Sequence, residues 1–180
     1  NNENFIDLPF SEYRSDFFEI FLSYKCSFCY GTDTGSIHMP ITIFQKPFCG
    51  FFVPLNDIHS YLSNSLMATK RFFYKDSAKE LNLKELINLE LHKNIKPKNI
   101  NNNIIIKDLE ENEILEICKE FILRLNRKWV DTSLDIDLQN KFWKYFFNFQ
   151  KGNSNIKKHG EISTIKFSAK FLRNNQKWLD

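Results

Sequence analysis

Long apolar runs are missing from this chain: none reaches the roughly 18 to 20 apolar residues that a bilayer-crossing helix needs, and no charged start leads into an apolar segment as in a secretory signal. Glycine and proline are sparse, five of each in 180 residues, and beyond Pro54 only Pro97, Gly152 and Gly160 remain. Turn punctuation therefore belongs to residues 1–60, while residues 61–180 read as mainly helical; with no linker and no internal repeat this predicts one domain. An excess of one charge sign is lacking too. The 25 basic and 22 acidic residues leave a net charge of +3, which does not support nucleic-acid binding. Cysteine is limited to Cys26, Cys29, Cys49 and Cys118, read as buried free thiols in a reducing compartment. Cys26 and Cys29 form a C-x-x-C, but in an apolar, strand-like run side chains three apart face opposite sides and do not readily share a zinc ion. An initial methionine is absent as well, the chain opening Asn1-Asn2-Glu3, which is expected of a fragment.

What is present is enough for one core: 42% hydrophobic and 26% charged residues mark a compact globular unit. The nineteen phenylalanines accompany many Ile, Asn and Lys, so the aromatic content reads as compositional bias and not as a base-stacking surface. Residues 151–180 carry seven Lys/Arg against Glu161 and Asp180. That tail suits peripheral contact with anionic lipid or a diphosphate, or is simply a solvated helical face.

Along the chain, residues 4–8 read as a short strand stopped by Pro9. A helix follows, capped by Ser15 or Asp16, with Phe17, Phe18, Ile20, Phe21 and Tyr24 as its buried face. Cys26 to Tyr30 returns to strand, Ser36 to Phe44 reads as helix despite Pro40, and Phe48 to Val53 is a buried strand. This strand, helix, strand, helix, strand order predicts a Rossmann-like parallel sheet with ligands outside the carboxyl ends of its strands. Asn56 to Asp76 reads as irregular or mixed. Leu83 to Leu91 is a short helix, and Lys93 to Lys107 is an Asn-rich connection with a short strand at residues 104–106. Glu110 to Trp129 is a helix whose acids start it and whose Arg124, Arg127 and Lys128 end it, as the macrodipole favours; Glu110 and Glu111 need no catalytic role. A second helix runs from Asp135 to Phe149, with Thr132 and Asp135 as a capping box. Thr164 to Asn174 makes a third, completing a helical C-terminal extension.

The stretch from Cys26 to Pro40 joins a strand to a helix through Gly31, Thr32, Asp33, Thr34, Gly35 and Ser36. Such a turn offers backbone N–H groups, hydroxyls and a helix N-terminus to an anion such as a sugar nucleotide. Asp33 either accepts from a ribose or sugar hydroxyl or caps the next helix. Thr34, Gly35 and Ser36 meet a diphosphate, with Thr32 adding a hydroxyl, and His38 bonds a phosphate or stands by. Arg14 and Asp16 fall between the first strand and its helix, where Arg14 either clamps phosphate or pairs with Asp16 or Asp33. Asn56 and His59 follow the third strand and either touch the nucleotide or sugar or are turn residues, and Asn64 and Ser65 are lesser candidates of the same kind.

The succession Tyr13-Arg14-Ser15-Asp16-Phe17-Phe18-Glu19-Ile20, Gly31-Thr32-Asp33-Thr34-Gly35, Phe44-Gln45-Lys46-Pro47, Pro54-Leu55 and Ala169-Lys170-Phe171-Leu172-Arg173-Asn174-Asn175 resembles a family of bacterial surface-carbohydrate glycosyltransferases. His59-Ser60, Ser63-Asn64-Ser65-Leu66 and Asp137-Leu138-Gln139-Asn140-Lys141-Phe142-Trp143 resemble it too. Asp33-Thr34-Gly35-Ser36-Ile37-His38 is similar to the donor-site turn of lipopolysaccharide heptosyltransferases. The resemblance implies the C-terminal, donor-binding half of a GT-B fold, with an N-terminal acceptor half that this chain lacks. It further implies transfer of a sugar from a nucleotide-sugar donor to a glycan or lipid-linked acceptor, at the cytoplasmic side of the plasma membrane. The diphosphate is expected to be held by backbone donors and a cation, without metal or other cofactor. Other readings are a sugar-nucleotide 2-epimerase, a non-catalytic nucleotide- or sugar-binding module, and a structural α/β domain.

Overall fold

A computed structural model describes residues 5–32, 35–52, 64–91, 103–149 and 165–180. They form a mixed α/β structure around one four-stranded sheet: β1 (Cys29–Thr32), β2 (Phe48–Phe52), β3 (Leu66–Met67) and β6 (Lys166–Phe167). All three pairings are parallel and the spatial order is β1-β2-β3-β6. A parallel sheet is covered on both faces, so its strands are apolar throughout. Phe48, Cys49, Leu66, Met67 and Phe167 accordingly have at most 1% of their surface exposed. The strand order runs in one direction without reversing, so these four strands have no switch point of the doubly wound kind. A separate antiparallel pair, β4 (Arg71–Tyr74) and β5 (Ile104–Lys107), lies in the connection from β3 to β6.

Helix α1 (Asp16–Lys25) is capped as expected, with Ser15 Oγ accepting from the Phe18 N–H at 3.2 Å. Its environment is not the expected one. Residues 5–7 form no strand and Leu8–Phe10 is a 3-10 turn, because Pro9 fixes a turn-compatible φ and removes a ladder donor. None of the α1 residues is buried, and Phe17 is 76% exposed. The rings of α1 pack on one another, Phe17 on Phe21 at 6.4 Å and Phe18 on Phe21 at 6.2 Å, and on Tyr13 and Phe44 outside the helix, Tyr13 to Phe18 at 6.0 Å and Tyr24 to Phe44 at 5.5 Å.

Cys26 belongs to the end of α1, its N–H bonded to Leu22 O at 2.8 Å, while Cys29 opens β1. The C-x-x-C thus straddles a helix end and a strand start. Cys49 is buried, whereas Cys26, Cys29 and Cys118 are half-buried, so the expected burial holds for one of the four. After β1, helix α2 (Gly35–His38) widens into a π-helical turn over Met39–Ile43, closed by the Phe44 N–H to Met39 O bond at 3.3 Å. Pro40 explains the widening, since its ring clashes with the carbonyl four residues back in a regular α-helix.

Helix α3 (Leu83–Asn88) has an Asn82/Glu85 capping box. Helix α4 (Glu111–Leu125) stops four residues short of the expected Trp129. Arg127 takes the left-handed conformation at φ 56°, and the Lys128 N–H returns to Leu123 O at 2.8 Å, a reversal that glycine usually supplies. Helix α5 (Ser133–Phe149) begins at the predicted box: the Asp135 N–H donates to Thr132 Oγ1, and the Thr132 N–H donates to Asp135 Oδ2 at 2.8 Å. The third predicted helix is shorter than expected. Lys166–Phe167 is strand β6, helix α6 occupies only Ala169–Asn174, and a 3-10 turn over Gln176–Leu179 buries Trp178 and Leu179. Phe142, Phe167 and Trp178 form the aromatic centre of this half, with ring centroids 4.5 Å apart for Phe142 and Phe167 and 5.6 Å for Phe167 and Trp178.

Candidate functional site

Gly31 and Thr32, predicted as the start of the turn, are instead the last residues of β1, at the sheet edge where ligands of parallel sheets collect. Thr32 ends β1 beyond a register shift and pairs with Phe52, and Gly35 opens the helical stretch. Gly31 sits tight against the core: a Cβ there would lie 2.3 Å from Ile37 Cδ1. Ile37 is buried, so the turn is anchored from beneath by this contact, while Thr32, Gly35, Ser36 and His38 face outward and are exposed. A Cβ on Gly35 would meet nothing within 4 Å, so packing does not demand glycine there. Asp33 and Thr34 lie outside the described residues, as do Asn56 and His59 beyond the end of β2.

Arg14 and Asp16 are not brought to this edge by a preceding strand, because residues 5–7 form none. Both are exposed. Arg14 approaches Glu19 at 4.0 Å and not Asp16, which is the first residue of α1; the alternative partner Asp33 lies outside the described residues. Asn64 and Ser65 fall at the opposite edge, immediately before β3.

Most of the buried polar chemistry lies away from the turn, in a network that ties α4, α5, β6 and α6 together. Glu120 of α4 is fully buried and caps α6 from outside its own helix. It accepts from Ser168 Oγ at 2.8 Å, the Ala169 N–H at 3.0 Å, the Lys170 N–H at 2.9 Å and Arg124 Nε at 2.8 Å. Arg124 forks onto Asp131 at 2.6 and 3.3 Å, which in turn accepts from Trp129 Nε1 at 2.9 Å. Asp135 binds the Arg173 guanidinium through both oxygens, and this hydrogen bonding holds its carboxyl down at about 2. Asp135-Ile136-Asp137 is an Asp-x-Asp string, a spacing associated with metal chelation. Its buried member is already saturated by Arg173 and the Thr132 cap, and Asp137 is exposed. Gln139 braces β6: its side-chain amide donates to Phe167 O and accepts the Phe167 N–H at 3.2 Å, taking the place of a neighbouring strand. Two segments that carried the family resemblance, residues 137–143 and 169–175, therefore act structurally here.

Cys49 on β2 and Cys118 on α4 are electrostatically linked: the neighbouring Cys118 and burial push Cys49 up, and Cys49 draws Cys118 down to about 7. Burial and then the neighbouring Cys26 push Cys29 up to about 11. No group of three or more potential metal-ligating His, Cys, Asp or Glu side chains occurs among the described residues, and no described helix is long and apolar enough to cross a membrane.

A cavity of about 410 Å³ opens at the amino-terminal edge of the sheet. Asn64, Ser65 and Leu66 bring the start of β3 to it, Lys166 the start of β6, and Arg124 and Arg127 the end of α4. Sequence reasoning assigned those two arginines to the helix dipole alone. The signal it lacked is tertiary: only the β3–β6 pairing places Lys166 beside Ser65. Comparison with protein-family models, with curated proteins and with solved structures yields no match.

Proposed function

We propose that the chain is a Rossmann-like, donor-binding part of a GT-B type glycosyltransferase acting on a nucleotide sugar, with a surface glycan or its lipid-linked precursor as acceptor. The observation that carries the reading is that β1 ends at Thr32 on the carboxyl edge of a parallel sheet and that a helical stretch over residues 35–43 begins three residues on. At that place backbone N–H groups and the hydroxyls of Thr32 and Ser36 offer donors to a diphosphate, whose charge grows as the nucleotide leaves. Thr34, Asp33 and His38 complete the proposed donor set, and the catalytic base belongs to an acceptor half outside this chain. Such an enzyme works on the cytoplasmic side of the plasma membrane, where nucleotide sugars and lipid-linked acceptors meet.

One observation favours a non-catalytic nucleotide-binding module over an epimerase as the second reading. Both fully buried carboxylates of the described residues, Glu120 and Asp135, are held in structural pairs, and neither serves acid/base chemistry at the turn. The test is calorimetric titration of the chain with UDP, GDP, ADP and CMP, beside an Asp33→Ala, Thr34→Ala double variant. Base-selective binding that the double variant loses is the expected result. A folded chain that binds none of the four, alone and after fusion to its upstream sequence, refutes the proposal. Nucleotide affinity without donor turnover in the fused protein selects the module.

A further inference from the structure

The amino-edge cavity differs from the one beside α6, where Glu80 and Asp180 stand among the basic residues. Among the described residues lining the amino-edge cavity are three cations, Arg124, Arg127 and Lys166, with Asn64 and Ser65 as neutral polar partners and no acid. The acids behind them do not cancel this charge. Asp131 faces Arg124 at 2.6 Å and Lys166 at 3.8 Å, and Glu120 takes Arg124 Nε, which leaves one positive charge in excess. Arg124 uses three of its five N–H groups on those acids, so two remain for a ligand. Asp131 and Glu120 also hold the guanidinium in place, so its spare donors are pre-oriented.

Two further features are costs to the fold that a bound anion would offset. Ser65 is 2% exposed, and its hydroxyl has no hydrogen-bond partner among the described residues. A buried hydroxyl without a partner is unfavourable, and an anion oxygen drawn against that wall supplies the missing acceptor. Arg127 stands in the left-handed conformation at φ 56°, where a glycine would be unstrained. It makes no ion pair among the described residues, so the strained position presents an unneutralised guanidinium at the cavity rim.

We propose that this cavity is a binding site for a phosphate-bearing anion, separate from the donor turn and at the opposite edge of the sheet. Arg127 and Lys166 supply the charge, Arg124 the oriented donors, and Ser65 and Asn64 the neutral hydrogen bonds. The ligand is a free phosphoester or pyrophosphate, or the phosphate of a lipid headgroup; both present the same oxygens to the site.

The experiment titrates the full chain at low salt with inorganic phosphate and with pyrophosphate, following heat and thermal midpoint. Wild type is compared with Arg127→Gly, Lys166→Gln, Ser36→Ala and a remote charge control, Lys84→Gln. Arg127→Gly relieves backbone strain, so it is expected to raise the thermal midpoint of the free protein while weakening pyrophosphate binding. Lys166→Gln weakens it as well, each by roughly tenfold, the value of one charge-assisted contact. Lys84→Gln leaves it unchanged, and Ser36→Ala reports any pyrophosphate held at the donor turn instead. A second arm sediments the chain with phosphatidylcholine vesicles with and without phosphatidic acid. Sedimentation that requires phosphatidic acid and falls in Arg127→Gly assigns the phosphate to a headgroup, and binding confined to the soluble anions assigns it to a free phosphoester. The proposal is overturned if neither arm shows binding, if binding is unaffected by Arg127→Gly and Lys166→Gln, or if Ser36→Ala abolishes it while Arg127→Gly does not.

Discussion

Replacement of Glu120 is the most direct perturbation of this fold. The side chain is fully buried and accepts four hydrogen bonds, one from Ser168 Oγ, two from the first backbone N–H groups of α6 and one from Arg124. Glu120→Ala strands three of these donors and leaves the Arg124 guanidinium, itself largely buried, with Asp131 as its remaining carboxylate partner. Breaking a buried ion pair by deleting one partner costs about 3–5 kcal/mol. The total stability of a domain is about 5–15 kcal/mol, so the variant is expected to be close to unfolding. With a urea dependence of about 2 kcal/mol per M, the midpoint falls by roughly 1.5–2.5 M. Glu120→Gln keeps one acceptor oxygen but loses the charge, and its midpoint is expected between those of wild type and Glu120→Ala. Urea titration followed by far-ultraviolet circular dichroism reads both. A fall below roughly 0.5 M for Glu120→Ala, about 1 kcal/mol at that dependence, refutes the view that this carboxylate holds α6 to α4.

Acid should expose the Asp135 pair. Arg173 holds the Asp135 carboxyl at about 2 in the folded chain, below the roughly 3.9 of an unfolded Asp. Its stabilisation is therefore full above about pH 4 and is lost as pH falls toward 2; Asp135→Asn is expected to flatten the dependence of unfolding free energy on pH in that window, and an unchanged slope counts against the pair. Cys118, drawn down to about 7 by Cys49, is expected to be the first thiol alkylated by iodoacetamide near neutrality, with Cys49→Ala moving the inflection of its rate upward; mass mapping that finds Cys29 modified first contradicts this. Gly31→Ala forces a Cβ against the terminal methyl of Ile37 and is expected to cost about 1–2 kcal/mol. Ile37→Val removes that methyl and recovers part of the loss; a thermal-shift series without such recovery means the contact is not what limits the position.

The sequence was most readable where local chemistry and tertiary structure agree. The Ser15 and Thr132 caps, the apolar β2 and the α4 and α5 stripes all follow from short-range rules that the core then satisfies. Strand β1 was legible only in part, since Gly31 and Thr32, with the composition of a turn, are its last residues. Helix α1 shows the limit, since periodicity requires an apolar face and says nothing of what covers it. At α4 the missing signal is a glycine, because Arg127 takes the reversal that would otherwise have marked the end of the helix. Strand β6 was illegible because two residues carry no period, and its pairing depends on Leu66–Met67 and on the Gln139 amide.

The amino-edge site is the stronger instance of that limit. Its cations lie at positions 124, 127 and 166, and its hydroxyl at 65, separations that no motif spans. Each has a sufficient local explanation: a helix dipole for the arginines, a strand end for Lys166, a polar turn for Ser65. Only the parallel β3–β6 pair and the packing of α4 make these four explanations coincide at one cavity. If natural constraint acted on α4 alone, glycine at position 127 would serve it better than arginine. Gln45, Ala78 and Glu90 take the left-handed conformation too, so what sets Arg127 apart is its place beside Arg124 and Lys166 at the cavity, and the proposed anion site rests on that cluster.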